Sequence, residues 1–381
     1  MSFEGAVTWR FTTTRRRCGL GATAAMLVGL ATLGTLACTK APFPREEMLE
    51  DLVQTRILPL NDEFVRRCEA LASATAALDA APSSTGLESV RSAWREAFLS
   101  WQETSLYRFD RMMVLHSPIA RRPPDLEFLE EVLAGDIDDI DDDFVARLGS
   151  RSKGLAAMEF LLYGAGSDES VDGVSTIRTR LAAALARELA GASRAIRDDW
   201  LPAGRNYAVT FVGRDDALDG FRRSFGALVN RVVAVLEETI RDDLGQPLGS
   251  GGPDGARPEM VRAPWSGESL TAIEGRLEGL ERTFVPLPDP TGSEIVTLMG
   301  YLDHLDAEWE GRPMSMVLGE RFAAARQALG EVPGPLAEAV VADTASVESA
   351  YDALRALLVL IKVDMANQLG ITITFNDNDG D

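Results

Sequence analysis

Apolar residues recur at every third or fourth position over long parts of this chain, and that spacing constrains the fold more than any other feature. Residues with this period lie on one face of an amphipathic α-helix. One such stripe begins at Leu87, after a helix-start sequence at residues 82–85, a second at Leu218 and a third at Leu354. No part of the sequence has the short, regularly spaced strands and turns of a sandwich or barrel. The sequence therefore predicts an all-α protein, with one short extended segment at residues 371–375.

Chain length and two interruptions of the helical pattern predict the domain organisation. At 381 residues, the chain is longer than one compact helical unit usually is. Pro202, Ala203 and Gly204 interrupt the pattern, and residues 245–264 hold five Gly and four Pro, too many for a regular element. We predict two four-helix-bundle-like domains packed side by side, at residues 46–203 and 204–381.

Charge and composition exclude several classes of function. The chain has 38 Lys and Arg against 59 Asp and Glu, a net charge of −21, and such a surface repels the phosphate backbone of nucleic acids. It has two His, far apart in sequence, so it lacks the H-E-x-x-H pair of zinc proteases. Its three Cys form neither a disulfide framework nor a C-x-x-C zinc site.

Residues 1–38 have the pattern of an export signal, followed by a tether at residues 39–45. Three consecutive Arg at residues 15–17 precede an apolar run that reaches Cys38. Thr35-Leu36-Ala37-Cys38 is similar to a lipobox, in which the Cys is acylated, although Thr stands where Leu is usual. We expect a lipid anchor at Cys38 and a location on the periplasmic face of a bacterial membrane. Because residue 39, the residue after the Cys, is not Asp, we expect sorting to the outer membrane. A membrane helix or an ordinary cleaved signal remains an alternative, and the arginines permit either the general or the twin-arginine export route.

Three separated segments together resemble the imelysin family, exported bacterial proteins once classed as peptidases and linked to iron-regulated genes. They are GLAAMEFLLYG at residues 154–164, APWSGESL at residues 263–270 and LGITITFNDNDGD at residues 369–381. A helix with Trp94 and Trp101 supports the match. The resemblance implies two helical-bundle domains with a site between them.

One departure from the family bears on any metal site. The first family segment has G-x-H-x-x-E, and its His falls on Ala156, whereas Glu159 is present. A His and a carboxylate three residues apart on a helix could hold a metal together. That pair is broken here, although the resemblance still implies a ligand that is iron or another metal species.

Glu159 and Arg108 are candidate site residues on physical grounds. Glu159 shares a helix face with Leu155 and Leu162, so its carboxylate must be paired, bind a metal or stay protonated. Arg108 continues the stripe through Trp101 and should point inward, towards Glu159 or an anionic ligand. The structural alternatives are a buried Glu–Arg pair and an Arg stem that extends along the bundle to water.

The other candidates belong to the second and third segments. Ser266 and Ser269 follow a Pro and open a helix, with Ser266 as the N-cap, and such a terminus can face an anion. Trp265 is a ligand contact or, alternatively, an aromatic that packs the domains together. Asp379 and Asp381 could supply oxygen ligands to a hard cation or belong to an acidic tail, but the chain ends before the Glu that an EF-hand requires.

We predict an extracytoplasmic ligand-binding lipoprotein, with Glu159, Asp379 and Asp381 as metal ligands and the other four candidates as ligand contacts. No residue is assigned to catalysis and no protein partner is indicated. A metallopeptidase is the first alternative, disfavoured because it needs about three protein ligands around an activated water. A surface interaction module without a small ligand is the second.

Overall fold

The helix that carries the first apolar stripe shows how sequence determines local structure. It spans Ser84–Thr104, and Leu87, Trp94 and Trp101 on its stripe are buried. Its N-cap is Ser83, whose side chain accepts a hydrogen bond from the backbone N–H of Gly86. The stripe therefore forms the inner face of a helix, as predicted.

The computed structural model describes residues 41–109, 112–135, 139–168, 176–213, 221–250, 255–285 and 295–373. The first α-helices are α1 (Arg45–Leu52), α2 (Leu58–Ala80), α3 (Ser84–Thr104), α4 (Met112–His116), α5 (Leu126–Ala134), α6 (Asp142–Ala146), α7 (Gly154–Tyr163), α8 (Ile177–Trp200) and α9 (Tyr207–Gly213). The later ones are α10 (Phe221–Glu238), α11 (Gln246–Leu248), α12 (Ser269–Phe284), α13 (Leu298–His304), α14 (Met314–Gly330), α15 (Leu336–Ala342), α16 (Thr344–Val359) and α17 (Ala366–Gln368). The protein is all-α, as predicted from the stripes.

Strand structure in the described residues is confined to one antiparallel pair, β1 (Glu308–Trp309) and β2 (Arg312–Pro313). Residues 371–373 are extended without strand pairing, and the rest of the predicted extended segment lies outside the described residues. Gly370 has φ +65°, so the last helix ends on a left-handed glycine.

Wider helical turns interrupt three of the α-helical runs. The π-helical segments are Val53–Ile57, Thr239–Gly245 and Leu360–Met365, and each continues directly into or out of an α-helix. A π turn inserts extra backbone into a helix and changes which residues share a face. We predicted that residues 245–264 form no regular element. This prediction is wrong for the first residues of the segment, because Gly245 and Pro247 are helical.

The core of the described chain consists of two apolar clusters. The first, the α3–α8 cluster, joins residues between Phe64 and Ile196 and also takes in Ala263 and Ala272. The second, the α10–α16 cluster, joins residues from Phe225 to Leu369 but also takes in residues within 48–57, 106–112 and 200–211. Helix α8 ends at Trp200 and a turn follows, so the predicted break near residue 202 is present. The domain limits at residues 46–203 and 204–381 stay a prediction.

No described helix is both long and apolar enough to cross a membrane. The predicted signal with Cys38, and residues 39 and 40 of the tether, lie outside the described residues.

Candidate ligand site

Helix α7 is buried along almost its whole length and carries one carboxylate. Residues 154–162 are all buried, and the side chain of Glu159 is 2% exposed. Gly154 starts the helix with φ +76°, where a Cβ would collide with the carbonyl oxygens of Pro118 and Ile119. The backbone N–H of Leu155 donates to Ile119 O at 2.7 Å. Glycine thus lets α7 begin directly against the 118–119 backbone.

Glu159 is held by the segment that the second sequence motif occupies. Its Oε1 accepts hydrogen bonds from the backbone N–H of Trp265 at 3.1 Å, from that of Ser266 at 2.9 Å, and from the Ser266 hydroxyl at 2.9 Å. Burial raises the pKa of Glu159 to about 7, against the lowering effect of these hydrogen bonds and of the Arg122 charge. The carboxyl group therefore changes its charge near neutral pH.

The other residues of that segment shape its turn. Ser269 begins α12, and its hydroxyl accepts from the backbone N–H of Ala263 at 3.2 Å. The Trp265 ring packs edge-on against Phe160, with ring centroids 5.5 Å apart. The prediction of Ser266 as the helix N-cap is wrong, because the N-cap is Glu268 and the Ser266 hydroxyl is directed to Glu159.

Arg108 is half-buried, with 31% of its side chain exposed, and its partner is a carboxylate other than Glu159. Its Nη2 donates to Glu238 Oε1 at 2.7 Å, and Arg231 Nη1 donates to the same oxygen at 3.1 Å. The expected pair between Arg108 and Glu159 is therefore absent from the described contacts. Although burial opposes it, the charges of Arg231 and Arg108 lower the pKa of Glu238 to about 2.

Asp243 binds three arginines in the interior. It lies in the π-helical segment Thr239–Gly245 and its side chain is fully buried. Arg122 donates to its Oδ1 at 3.0 Å, while Arg262 and Arg276 donate to its Oδ2 at 2.8 and 3.3 Å. These charges hold the pKa of Asp243 below its ordinary value despite burial. One carboxylate thus neutralises part of a larger positive charge.

His116 completes this buried polar region. It is 3% exposed, its ring centroid lies 4.9 Å from that of Trp101, and neither ring nitrogen has a hydrogen-bond partner among the described residues. Burial, and then the charges of Arg108 and Arg231, lower its pKa to about 3. The imidazole is therefore neutral at physiological pH.

The two ion-pair groups form one electrostatic unit. Glu238 acts on the pKa of Arg276, and Arg122, which pairs with Asp243, acts on that of Glu159. We call the five arginines that take part the arginine centre: Arg108, Arg122, Arg231, Arg262 and Arg276.

The described residues around Glu159 do not fit a metal ion. No group of three or more His, Cys, Asp or Glu that could hold a metal occurs in the described part of the chain. Oε1 of Glu159 already accepts three hydrogen bonds, and the charge that acts on its pKa is that of Arg122. Asp379 and Asp381, the other predicted ligands, lie outside the described residues.

The sequence contained a usable signal for the residues that our prediction missed. Asp243 follows Leu236 and Ile240 at helical spacing, and Arg276 follows Ala272 and Ile273 in the same way. A charged residue that continues an apolar stripe is directed inward and needs a buried partner, the argument that identified Arg108.

Comparison with known proteins supplies the family. The sequence model of the imelysin family, Peptidase_M75, matches residues 57–361, most of the chain. The chain belongs to the imelysin family. No curated protein sequence matches it.

Two solved structures share the imelysin fold of this chain. An imelysin-like protein from Psychrobacter arcticum 273-4 is 17% identical with a TM-score of 0.68, and the match covers 87% of this chain and 98% of that one. A protein from Parabacteroides distasonis ATCC 8503, described as an iron-regulated protein A precursor, is 14% identical with a TM-score of 0.69, covering 88% and 97%. At these identities the likeness extends to the fold.

Proposed function

We propose that this imelysin-family chain is an exported, lipid-anchored ligand-binding protein whose site adjoins Glu159. The observation that carries the proposal is a buried carboxyl group with a pKa of about 7, held by Trp265 and Ser266, in a protein whose described interior also contains nitrogen atoms without partners. Unpaired polar groups are costly in a protein interior and are concentrated where a ligand satisfies them. Export and the anchor at Cys38 rest on the N-terminal sequence.

Binding accounts for this arrangement better than hydrolysis does. A metallopeptidase holds its water through about three protein ligands, and the described residues offer no such group. Glu159 has a pKa suited to proton transfer, but its Oε1 is engaged by the chain's own donors. We therefore assign Glu159 to orienting the 265–266 segment and the ligand.

Only the family resemblance links this protein to iron. The Parabacteroides relative is described as iron-regulated, which concerns the control of that protein. Because the donors around Glu159 do not suit a bare cation, we propose for this chain a molecular ligand.

Native mass spectrometry of the full lipoprotein, purified in detergent from its producing host, tests this function. We expect the wild type to retain a small molecule that denaturation releases. Ser266→Ala should lower its occupancy, because Glu159 loses a hydroxyl donor and the segment is held less firmly. Ser89→Ala is the matched control, since its hydroxyl bonds only its own helix at an exposed position. Protein that retains no molecule, even after incubation with periplasmic extract, would refute the proposal.

A further inference from the structure

We infer that the ligand is an anion with carboxylate or phosphate oxygens, bound by the arginine centre. The inference rests on the proposed function and specifies the chemical class of the ligand. Two independent observations support it: the balance of buried charge and the positions of unsatisfied donors.

The arginine centre, whose side chains are buried or half-buried, carries an excess of positive charge in a strongly acidic protein. The whole chain has a net charge of −21, yet the five arginines of the centre bond to only two carboxylates among the described residues, Glu238 and Asp243. Even with Glu159 ionised, two positive charges remain. An uncompensated charge is expensive in the interior, so such charges are normally paired. A bound anion of charge −2 supplies the missing counter-charge.

The pKa directions show the same imbalance. Burial, followed by repulsion from Arg262, lowers the pKa of Arg122 to about 10 and that of Arg276 to about 9. Both guanidinium groups stay charged at neutral pH, so the protein bears their mutual repulsion. An anion among them relieves it.

Buried donors without partners lie on the same residues. In the part of the chain that the structure describes, Nε of Arg108, Arg231 and Arg262 and both nitrogens of His116 lack hydrogen bonds. Guanidinium N–H groups donate only, so they require acceptor oxygens. The neutral His116 can add one donor.

The fixed geometry of the arginines favours oxyanions over other acceptors. Glu238 and Asp243 each bind η nitrogens and so hold the planar guanidinium groups in place. Such preorganised forks match the paired oxygens of carboxylate or phosphate, and a site of low dielectric strengthens the attraction. A divalent metal ion would add to the positive excess.

Isothermal titration calorimetry of the full lipoprotein, freed of ligand by refolding, tests the inference. Orthophosphate and citrate are titrated separately at constant ionic strength, so that general screening does not contribute. We expect saturable binding of at least one anion, and the stronger of the two identifies phosphate or carboxylate as the preferred group. Zn²⁺ and Mn²⁺ should show no saturable binding.

Arg262→Gln is the diagnostic variant. Asp243 keeps Arg122 and Arg276, so the fold should persist, while the anion loses a donor and Kd should rise at least tenfold. Arg262→Lys keeps the positive charge but lacks the planar guanidinium group that can bind two oxygens at once, so it should retain only part of the affinity. Arg194→Gln, at a surface pair with Glu69, is the control and should leave Kd unchanged.

Three outcomes would overturn the inference. Saturable metal binding without anion binding would assign the site to a cation, and a neutral molecule in the native mass spectrum would assign it to an uncharged ligand. In both cases the ligand-binding function would survive. Anion binding that appears only after deletion of residues 374–381 would mean that the chain's own acidic tail supplies the counter-charge.

Discussion

Single ionisable groups determine how the stability of this protein should respond to pH. The pKa of Glu159 is about 7 in the folded chain against an ordinary value of 4.5. Between these values the native state holds a proton that the unfolded state has lost, so stability falls as pH rises from about 4.5 to 7. A pKa difference of this size corresponds to a loss of about 3 kcal/mol in the free energy of unfolding at high pH.

Glu159→Gln should remove this pH dependence. The amide oxygen still accepts from Trp265 and Ser266 but does not titrate. The free energy of unfolding of the wild type should therefore gain about 2.5 kcal/mol relative to the variant between pH 8 and pH 5. Urea unfolding at several pH values measures it, with exposed Glu278→Gln as the control. Parallel curves for the wild type and Glu159→Gln would contradict the assignment.

Asp243→Asn should be among the most destabilising substitutions in the chain. It leaves Arg122, Arg262 and Arg276 without their counter-charge in the interior. We expect a loss of about 3–5 kcal/mol in the free energy of unfolding. Asp198→Asn, in a half-exposed pair with Arg197, should cost less than about 1 kcal/mol. Equal losses for the two variants in urea unfolding would refute this role.

Among the elements, helix interiors and irregular helical segments together position the site. Glu159, Arg231 and Arg276 lie inside α7, α10 and α12. Asp243 lies in the π turns that follow α10, and α7 starts at a left-handed glycine. Side-chain periodicity predicts the inner face of a regular helix, but it does not specify where an extra residue is inserted. The π turns therefore affect which charged groups meet.

Gly154→Ala and Gly191→Ala should have opposite effects. At Gly154, φ is +76° and a Cβ would meet backbone oxygens, so alanine should cost more than about 2 kcal/mol. At Gly191, inside α8, nothing lies within 4 Å, and alanine should stabilise by about 0.5–1 kcal/mol. Urea unfolding measures both. A loss of stability at Gly191 would show that helix propensity does not govern that position.

The predictable and unpredictable parts of the fold differ in their physical origin. The stripes through Leu87 and Leu354 predict helices because burial of one face is a local property of the sequence. The proximity of Ser266 to Glu159 could be predicted from the sequence, because both residues lie in segments that resemble the same family. The pairing of Arg108 with Glu238, 130 residues later, was not, since it depends on how helices pack. The position of a charged residue on an apolar stripe predicted that its side chain is buried, but it did not predict which residue pairs with it.

At the scale of the whole molecule, the charge is divided between an acidic surface and a basic interior. The chain has 59 Asp and Glu, whereas the arginine centre is buried or half-buried. The surface field should repel free anions at low salt, so the association rate of an anionic ligand should increase with ionic strength.

The proposed lipid anchor also concerns the whole molecule. If Cys38 is acylated, Cys38→Ser should abolish palmitate labelling and move the protein from the membrane to the soluble fraction. Cys68→Ser is the matched control, because Cys68 is a buried core thiol and should leave fractionation unchanged. Unchanged membrane fractionation of Cys38→Ser would contradict lipidation.

The packing of the first helix has a consequence for the order of assembly. The Phe43 ring packs at a tilt against that of Tyr301, with ring centroids 4.7 Å apart, and Asp51 accepts from the backbone N–H of Val296 at 2.8 Å. The packing around α1 is thus completed by partners about 250 positions later. Closing so large a loop is slow, because contacts between residues far apart in sequence form late. During synthesis, α1 therefore stays without these partners until residues 296–301 have been made, whereas most of the α3–α8 cluster lies within residues 64–196 and assembles from an earlier part of the chain.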